Sequence, residues 1–238
     1  MTPGGAADEA IRGATGVAMM PDPILQAKAN TRRAVSVALA ALGPERRRSA
    51  GLALARRLEE LECVCCARTL MAFLSLPMEI DTWPFIRWAW SEGKRVAVPR
   101  IEPPLSDADR ALVARRIVPV LLPSADAAGA AAHPAVRPGA LGILEVPDAP
   151  PLAVAELDLV LVPCQAVDRR GNRLGKGGGF YDRFLARTDL RADLVAVGFR
   201  EQVLDAVPVT ETDRPVPTIV TDAEIVTMGA TGGGRRPA

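Results

Sequence analysis

The 238-residue sequence contains a single histidine, His133. This residue lies in a segment that is rich in alanine and proline, which is not a pattern typical of catalytic loops. We therefore expect no catalysis by a histidine base and no phosphohistidine intermediate. Lysines, arginines and carboxylates must carry out whatever chemistry this chain performs.

The sequence also lacks an excess of charge of either sign and lacks long apolar runs. Its 29 lysines and arginines balance 28 aspartates and glutamates, which gives a formal net charge of +1. A chain of this balance has no general attraction for nucleic acid or for a membrane surface, so any anion site must be local. No apolar run approaches the roughly 20 residues that span a bilayer, and the N-terminus shows no secretion signal. We expect a cytoplasmic monomer with no nucleic-acid or membrane partner.

Cysteine is scarce, and three of the four cysteines crowd together as Cys63, Cys65 and Cys66, with Cys164 apart from them. Neighbours this close in sequence do not form a disulfide without strain, so we expect reduced thiols. A zinc or redox site at Cys-x-Cys-Cys is one interpretation. Because no second cysteine or histidine cluster accompanies it, we favour the other interpretation, in which the cysteines are small buried apolar residues.

With 49% hydrophobic and 24% charged residues, the chain can bury the core of one domain of ordinary globular composition. Residues 1–22 and 229–238 are rich in glycine, alanine and proline without periodicity, which predicts a disordered leader and a flexible tail. The folded domain is then 23–228. Helical patterns over 23–42 and 45–61, separated by a Gly-Pro break, predict an N-terminal helical hairpin.

The rest of the domain alternates between strand and helix patterns, which predicts an α/β fold with a largely parallel sheet. Strands are expected over residues 69–76, 95–99, 117–122, 157–163, 194–199 and 217–220, and helices over residues 82–92 and 181–187.

The most informative segment runs from Arg173 to Arg183 and reads RLGKGGGFYDR. Its three successive glycines allow backbone conformations in which consecutive amide hydrogens converge on one anion, and Lys176 adds a positive charge. A predicted strand precedes the loop and a predicted helix follows it, the arrangement with which α/β proteins bind phosphate. A flexible turn is the alternative for any glycine cluster. Neither the P-loop pattern nor G-x-G-x-x-G is present.

This segment resembles the signature of the 5-formyltetrahydrofolate cyclo-ligases, also called 5,10-methenyltetrahydrofolate synthetases. The lead-in AVDRRGNRLG (166–175) and the KGGGFYD that follows are similar to the family's signature, and so is the Val-Pro at 162–163. Three further segments are similar to family motifs in the same order: LSLPMEIDT (74–82), GKRVAVPR (93–100), and GFREQV (198–203) with VPVTETD (207–213).

The resemblance implies a three-layer α/β/α domain and the ATP-dependent closure of 5-formyltetrahydrofolate to 5,10-methenyltetrahydrofolate, with Mg²⁺ as cofactor. It implies Arg173 and Lys176 as catalytic residues and Asp182 and Asp213 as metal ligands. It implies folate contacts by Leu74, Glu79 and Phe180. It implies an ATP site formed by Lys28, Arg32, Arg173, Leu174, Gly175, Lys176, Gly177, Gly178, Gly179, Phe180 and Tyr181.

Each of these roles has a structural alternative in the sequence itself. Lys28 and Arg32 lie one helical turn apart and could be a solvated basic face. Glu79 could be a charge in a helix cap, and Asp182 could be favoured in the first turn of its helix. At the level of function, the alternatives are a non-catalytic nucleotide- or folate-binding paralogue and a sugar-phosphate isomerase of similar fold.

The sequence departs from the family pattern between residues 101 and 138. This segment is longer than is usual in the family, it carries Arg110, Arg115 and Arg116, and it then becomes rich in alanine and proline. The pattern resumes only at 139–145, where Leu141 stands near the position of an aromatic in relatives. We expect any difference in folate recognition to arise here.

Overall fold

The computed structural model describes residues 22–102, 115–139 and 142–228. The predicted tail, nearly all of the predicted leader, Arg110 and Leu141 lie outside the described residues. Within the described part, no helix is long and apolar enough to span a membrane.

The described residues include five α-helices, four of which form where the sequence has helical spacing. Asp22 precedes the first helix and accepts a hydrogen bond from the backbone N–H of Ile24, and proline occupies an early position in three of the helices. The bounds are α1 Pro23–Ala40, α2 Pro44–Glu59, α3 Glu62–Cys66, α4 Trp83–Ser91 and α5 Phe180–Leu185. The two N-terminal helices and the helices at 82–92 and 181–187 were predicted, whereas α3 was not.

The strands are β1 Thr69–Met71, β2 Arg95–Glu102, β3 Arg116–Leu121, β4 Arg137–Pro138, β5 Leu144–Glu145, β6 Leu159–Pro163, β7 Ala166–Asp168, β8 Arg173–Leu174, β9 Asp193–Gly198, β10 Val203–Leu204, β11 Thr218–Thr221 and β12 Ile225–Thr227. Seven of them form the main sheet in the order β12-β11-β9-β6-β1-β2-β3. The four central pairings are parallel and the two edge pairings are antiparallel. The predicted α/β class with a largely parallel sheet is confirmed.

Alternation along the strands divides the core between the two faces of this sheet. In β6, Leu159 and Leu161 point to the face covered by α2 and α4, whereas Val160 and Val162 point to the other face. That second face is covered by Phe184 of α5 together with irregular segments. A buried parallel sheet needs cover on both sides, and this chain uses long helices on one side and a short helix with loops on the other.

The carboxyl ends of three adjacent central strands bring the functional segments together. The order β9-β6-β1 places the segments after β1, β6 and β9 side by side at one edge of the sheet. The segment after β6 is a small hairpin, β7 and β8, which pairs with β10 in a separate three-stranded sheet and leads directly into the glycine loop. This small sheet was not predicted from the sequence.

The histidine and the cysteines have structural positions. His133 is only 2% exposed and lies against the rings of Trp83 and Trp90. All four cysteines are free. The interpretation of the cysteines as buried residues is correct for Cys164 but wrong for Cys65 and Cys66, which are exposed, because the short helix α3 buries only Val64.

Candidate functional site

The glycine loop, residues 175–179, connects β8 to α5, and its geometry favours glycine at each of the three consecutive glycines. Gly177 and Gly179 have φ angles of 104° and 61°, in the left-handed region that favours glycine. Gly178 is required for a different reason, because a Cβ there would lie 2.6 Å from the ring of Phe180. The loop therefore has a backbone shape that favours glycine.

Asp168 holds the hairpin that leads into this loop, and it was not predicted as a site residue. Its carboxylate is fully buried and accepts hydrogen bonds from the backbone N–H groups of Arg170, Asn172 and Val207 and from the Asn172 amide. Burial raises the pKa of Asp168, but these hydrogen bonds outweigh it and lower the pKa overall. Because Val207 begins the loop that contains Asp213, Asp168 fixes two functional segments relative to each other.

Arg173 and Asp182 form an ion pair between the two ends of the glycine loop. The Arg173 side chain is 1% exposed, and its Nε is buried without a hydrogen-bond partner among the described residues. A buried guanidinium beside a carboxylate is stabilised by the pair, and a buried N–H donor without a partner is costly. The two residues therefore place a positive charge and an unused donor at the wall of the site.

Lys28 of α1 reaches across the chain to the loop after β10. Its Nζ lies 2.5 Å from Asp213 Oδ2 and donates to Thr210 Oγ1 at 3.1 Å. Burial raises the pKa of Asp213, but hydrogen bonds from Lys28 and from the Thr210 backbone and hydroxyl, with the Lys28 charge, lower the pKa overall. Lys28, which was predicted to bind ATP, and Asp213, which was predicted to bind Mg²⁺, thus contact each other directly.

Arg32, one turn after Lys28, contacts the glycine loop itself. Its Nε donates to the carbonyl oxygen of Gly175 at 2.8 Å, and its guanidinium lies beside Gly177. The interpretation of this helix face as merely solvated is wrong, because Lys28 is 6% exposed and Arg32 is bonded to the loop backbone.

Glu79 lies in the turn after β1 and pairs with Lys176 of the glycine loop. Its Oε1 is 2.7 Å from Lys176 Nζ, and its Oε2 accepts a hydrogen bond from the backbone N–H of Leu76. Asp81, not Glu79, accepts a hydrogen bond from the backbone N–H of Trp83 at the start of α4. The capping alternative for Glu79 is therefore excluded.

The glycine loop, the turn after β1 and the start of the segment after β6 line a cavity of about 130 Å³ at the carboxyl edge of the sheet. Its walls are mainly apolar, and charged groups from the glycine loop and from Glu79 lie along one side. The predicted site residues that line it are Leu74, Glu79, Arg173, Gly175, Lys176, Gly178, Gly179, Phe180, Tyr181 and Asp182.

Two buried protic groups, Tyr181 and Cys164, also line this cavity. The Tyr181 hydroxyl has no hydrogen-bond partner among the described residues, and burial with the nearby Glu79 charge raises its pKa. Burial also raises the pKa of the Cys164 thiol, to about 12. Both groups are therefore neutral at physiological pH, and Tyr181 presents an unpartnered hydroxyl that a ligand could bind.

Comparison with known proteins decides the family. The model of the 5-formyltetrahydrofolate cyclo-ligase family matches residues 24–222. The chain belongs to this family. Among the curated cyclo-ligases, that of Escherichia coli K12 is 32% identical over 198 residues, covering 78% of this chain and 94% of the relative. That of Mus musculus is 27% identical, covering 82% of this chain and 93% of the relative.

Solved structures of cyclo-ligases show the same fold. The 5,10-methenyltetrahydrofolate synthetase of Aquifex aeolicus superposes with a TM-score of 0.69 at 23% identity, covering 88% of this chain and 96% of that one. The Mycoplasma pneumoniae enzyme superposes with a TM-score of 0.60 at 16% identity, covering 82% and 98%. At these identities the likeness concerns the fold, and the predicted family and fold are confirmed.

The predicted site residues that do not line the cavity are Lys28, Arg32, Leu174, Gly177 and Asp213. Lys28 and Asp213 form their own pair, and Arg32 lies behind the glycine loop. Leu174 is 1% exposed, and its side chain belongs to the hydrophobic core. Only its backbone could therefore contact a ligand. Thr210, which binds both Lys28 and Asp213, was missed in the sequence; the Thr-x-x-Asp spacing of a turn was the available signal.

Proposed function

We propose that this chain catalyses the ATP-dependent cyclisation of 5-formyltetrahydrofolate to 5,10-methenyltetrahydrofolate, with release of ADP and phosphate. Full-length curated relatives carry the cyclo-ligase name. The observation that carries the proposal is that one cavity is lined both by the predicted phosphate-binding loop and by Glu79, whose carboxylate is predicted to bind the folate.

The glycine loop is the proposed site of the ATP phosphates. Lys176 lies on the loop with its side chain 47% exposed, so its ammonium group is accessible to a bound anion. Arg173 lies at the base of the loop, and Lys28 and Arg32 approach from α1. Phosphoryl transfer needs positioning and neutralisation of charge more than a strong base, and these cations supply both.

Asp182 and Asp213 are the proposed Mg²⁺ ligands. The described residues contain no cluster of three or more acidic, histidine or cysteine side chains arranged to hold a metal. Both side chains are carboxylates, the hard oxygen donors that Mg²⁺ prefers, and each is paired here with a cation of the chain, Arg173 or Lys28. One or two such carboxylates would be sufficient to hold a Mg²⁺ bound to nucleotide, and the ion would supply positive charge beside the phosphates.

The apolar side of the cavity is the proposed folate site. Leu74 and Phe180 provide apolar and aromatic surface for a flat ring system. The side chain of Glu79 is only 14% exposed, and its two carboxyl oxygens can accept hydrogen bonds from ring N–H and amino groups. A buried charge that is paired in this way gives strong discrimination for a ligand with matching donors.

The proposed reaction has two displacements. The formyl oxygen of the folate attacks the γ-phosphorus of ATP, and the bond from that phosphorus to the β-phosphate oxygen breaks to release ADP. N10 then attacks the formyl carbon, loses its proton, and displaces phosphate as the new ring closes. Lys176 and Arg173 stabilise the negative charge on the phosphoryl group in both steps.

The decisive experiment combines purified protein, MgATP and 5-formyltetrahydrofolate, and follows both the absorbance of the methenyl product and the release of phosphate. We expect both signals, in equal amounts, and only when all components are present. A folded protein that binds ATP yet releases no folate-dependent phosphate would instead be the non-catalytic binding paralogue. Isomerisation of a sugar phosphate without ATP would support the isomerase alternative.

We also propose that the protein is a cytoplasmic monomer. Four free thiols are typical of a reducing compartment, and a net charge of +1 offers no general attraction for nucleic acid. Size-exclusion chromatography with light scattering tests the oligomeric state.

A further inference from the structure

Arg183 lies in α5, four residues after the last glycine of the loop, and its guanidinium turns back toward that loop. One of its terminal nitrogens, Nη2, donates to the carbonyl oxygen of Gly178 at 3.1 Å and to the carbonyl oxygen of Arg115 at 3.1 Å. The guanidinium carbon also lies 5.4 Å from the centre of the Phe180 ring. Arg183 therefore joins the glycine loop to the residue that precedes β3.

The guanidinium of Arg183 lies close to the backbone of Gly179. A Cβ at Gly179 would lie 2.8 Å from Arg183 Nη1. The Nε of Arg183 is buried and has no hydrogen-bond partner among the described residues, which is unfavourable by itself. The contacts with Gly178, Arg115 and Phe180 must therefore hold the guanidinium in this place.

The contact with the Gly178 carbonyl matters because a peptide unit is planar and trans. In such a unit the carbonyl of one residue and the N–H of the next point in opposite directions. Holding the Gly178 carbonyl toward Arg183 therefore turns the Gly179 N–H away from Arg183. Glycine peptides rotate with little steric resistance, so a loop of glycines does not keep such an orientation without an external contact.

Arg32 makes the corresponding contact at the other end of the loop, where its Nε donates to the Gly175 carbonyl and thereby orients the Lys176 N–H. Two arginines from two different helices thus hold two carbonyls of the same loop. Because its contacts are with carbonyl oxygens and an aromatic ring, Arg183 differs from Lys176, whose ammonium group is the loop's accessible cation.

We infer that Arg183 is a positioning residue for the ATP phosphates, which orients the backbone N–H of Gly179 by holding the Gly178 carbonyl. The inference rests on the proposed function for the identity of the anion. It assigns Arg183 no direct contact with substrate.

The test compares Arg183→Ala and Arg183→Lys with Arg187→Ala as a matched control. Arg187 lies one turn further along, is exposed, and pairs with Asp189 instead of the loop. Steady-state kinetics give kcat and the KM values for MgATP and for the folate, and calorimetry gives the affinity for a non-hydrolysable ATP analogue with Mg²⁺. Circular dichroism and thermal unfolding monitor the fold of each variant.

We expect Arg183→Ala to raise the KM for MgATP and the Kd of the analogue about tenfold, as for one lost hydrogen bond to a charged group. The KM for the folate should stay within about twofold, and Arg187→Ala should match the wild type. Arg183→Lys keeps the charge, but its flexible ammonium group does not reproduce the position of the guanidinium beside the two carbonyls and the Phe180 ring, so it should raise the KM for MgATP as well.

Wild-type affinity in Arg183→Lys would overturn the inference, since charge alone would then be sufficient. A lower Tm with unchanged nucleotide affinity in Arg183→Ala would overturn it too, by showing a merely structural role. If Arg183→Ala does not fold, the nucleotide affinity of Arg183→Lys tests the inference instead. A wild-type protein that binds the analogue without turnover of the folate contradicts the proposed function but leaves the calorimetric comparison intact, whereas a wild type that binds no analogue overturns both.

Discussion

The ammonium group of Lys176 lies 2.7 Å from Oε1 of Glu79, so that the glycine loop is joined directly to the turn after β1. The two residues are 97 positions apart in the sequence, and they belong to the proposed ATP and folate sites respectively. Their contact joins the two proposed sites through one pair of opposite charges. A change at either residue therefore removes the ion-pair partner of the other.

Lys176→Ala should lower kcat/KM for the folate-dependent reaction by about 100-fold or more, as for removal of one charge that stabilises a transition state. The side chain is 47% exposed, so the fold should remain intact. Steady-state kinetics and circular dichroism check both points. Arg48→Ala is the control, because Arg48 is a cation with a side chain 70% exposed and pairs only within α2. Turnover of Lys176→Ala close to that of the wild type would remove Lys176 from the catalytic machinery.

Glu79→Gln should raise the KM for 5-formyltetrahydrofolate about tenfold, because a neutral amide accepts weaker hydrogen bonds than a carboxylate does. The amide oxygen can still accept from the Leu76 N–H, so the turn should keep its shape. Since the substitution frees Lys176 from its ion pair, the KM for MgATP should not rise. Steady-state kinetics with each substrate varied in turn give the KM for the folate and the KM for MgATP separately. An effect on MgATP alone would contradict the assignment of Glu79 to the folate site.

Gly178→Ala should impair nucleotide binding by forcing the Phe180 ring to move away from the loop. The added Cβ would lie 2.6 Å from the ring, and relief of such a contact costs about 1–3 kcal/mol. Gly43→Ala is the matched control, because a Cβ at Gly43 meets nothing within 4 Å and its φ is −70°. Calorimetry with an ATP analogue should show weaker binding only for the Gly178 variant. Equal binding by both variants would mean that the loop tolerates side chains and is not a shaped cradle.

The Lys28–Asp213 pair should make stability depend on pH in the acid range. Because the folded-state pKa of Asp213 lies below its ordinary value of 3.8, the ionised form stabilises the fold fully above that value. This contribution is lost as the pH falls through the folded-state pKa. We expect Asp213→Asn to lower the free energy of unfolding by about 1 kcal/mol at pH 7, with a smaller difference from the wild type at about pH 3.

Urea denaturation at several pH values measures this difference. Asp189→Asn is the control, because its ion pair with Arg187 is exposed and such pairs contribute little to stability. A difference between Asp213→Asn and the wild type that stays constant from pH 7 to pH 3 would show that the charge of Asp213 does not stabilise the fold.

Much of the fold and the outline of the site could be predicted because they depend on local patterns. Buried strands and amphipathic helices have their own periodicities, and these located the central strands β6 and β9 and the helices α1 and α4 to within a few residues. The glycine loop was predictable because three adjacent glycines beside Lys176 are typical of a loop that binds an anion. The short strands β7, β8 and β10 were missed because two or three residues carry no periodicity.

The amino-acid sequence by itself determined the fold class, the family and the identity of the loop, since each of these is encoded in consecutive residues or in motifs that follow one another along the chain. Only the tertiary structure decided the pairing of charges: Lys28 with Asp213, Arg173 with Asp182, and Lys176 with Glu79. It also decided that Arg183 turns back to hold the Gly178 carbonyl. The physical reason is that an ion pair or a hydrogen bond depends on the positions of two atoms to within about half an ångström. Those positions are set by the packing of the whole sheet and its helices, and not by the residues on either side.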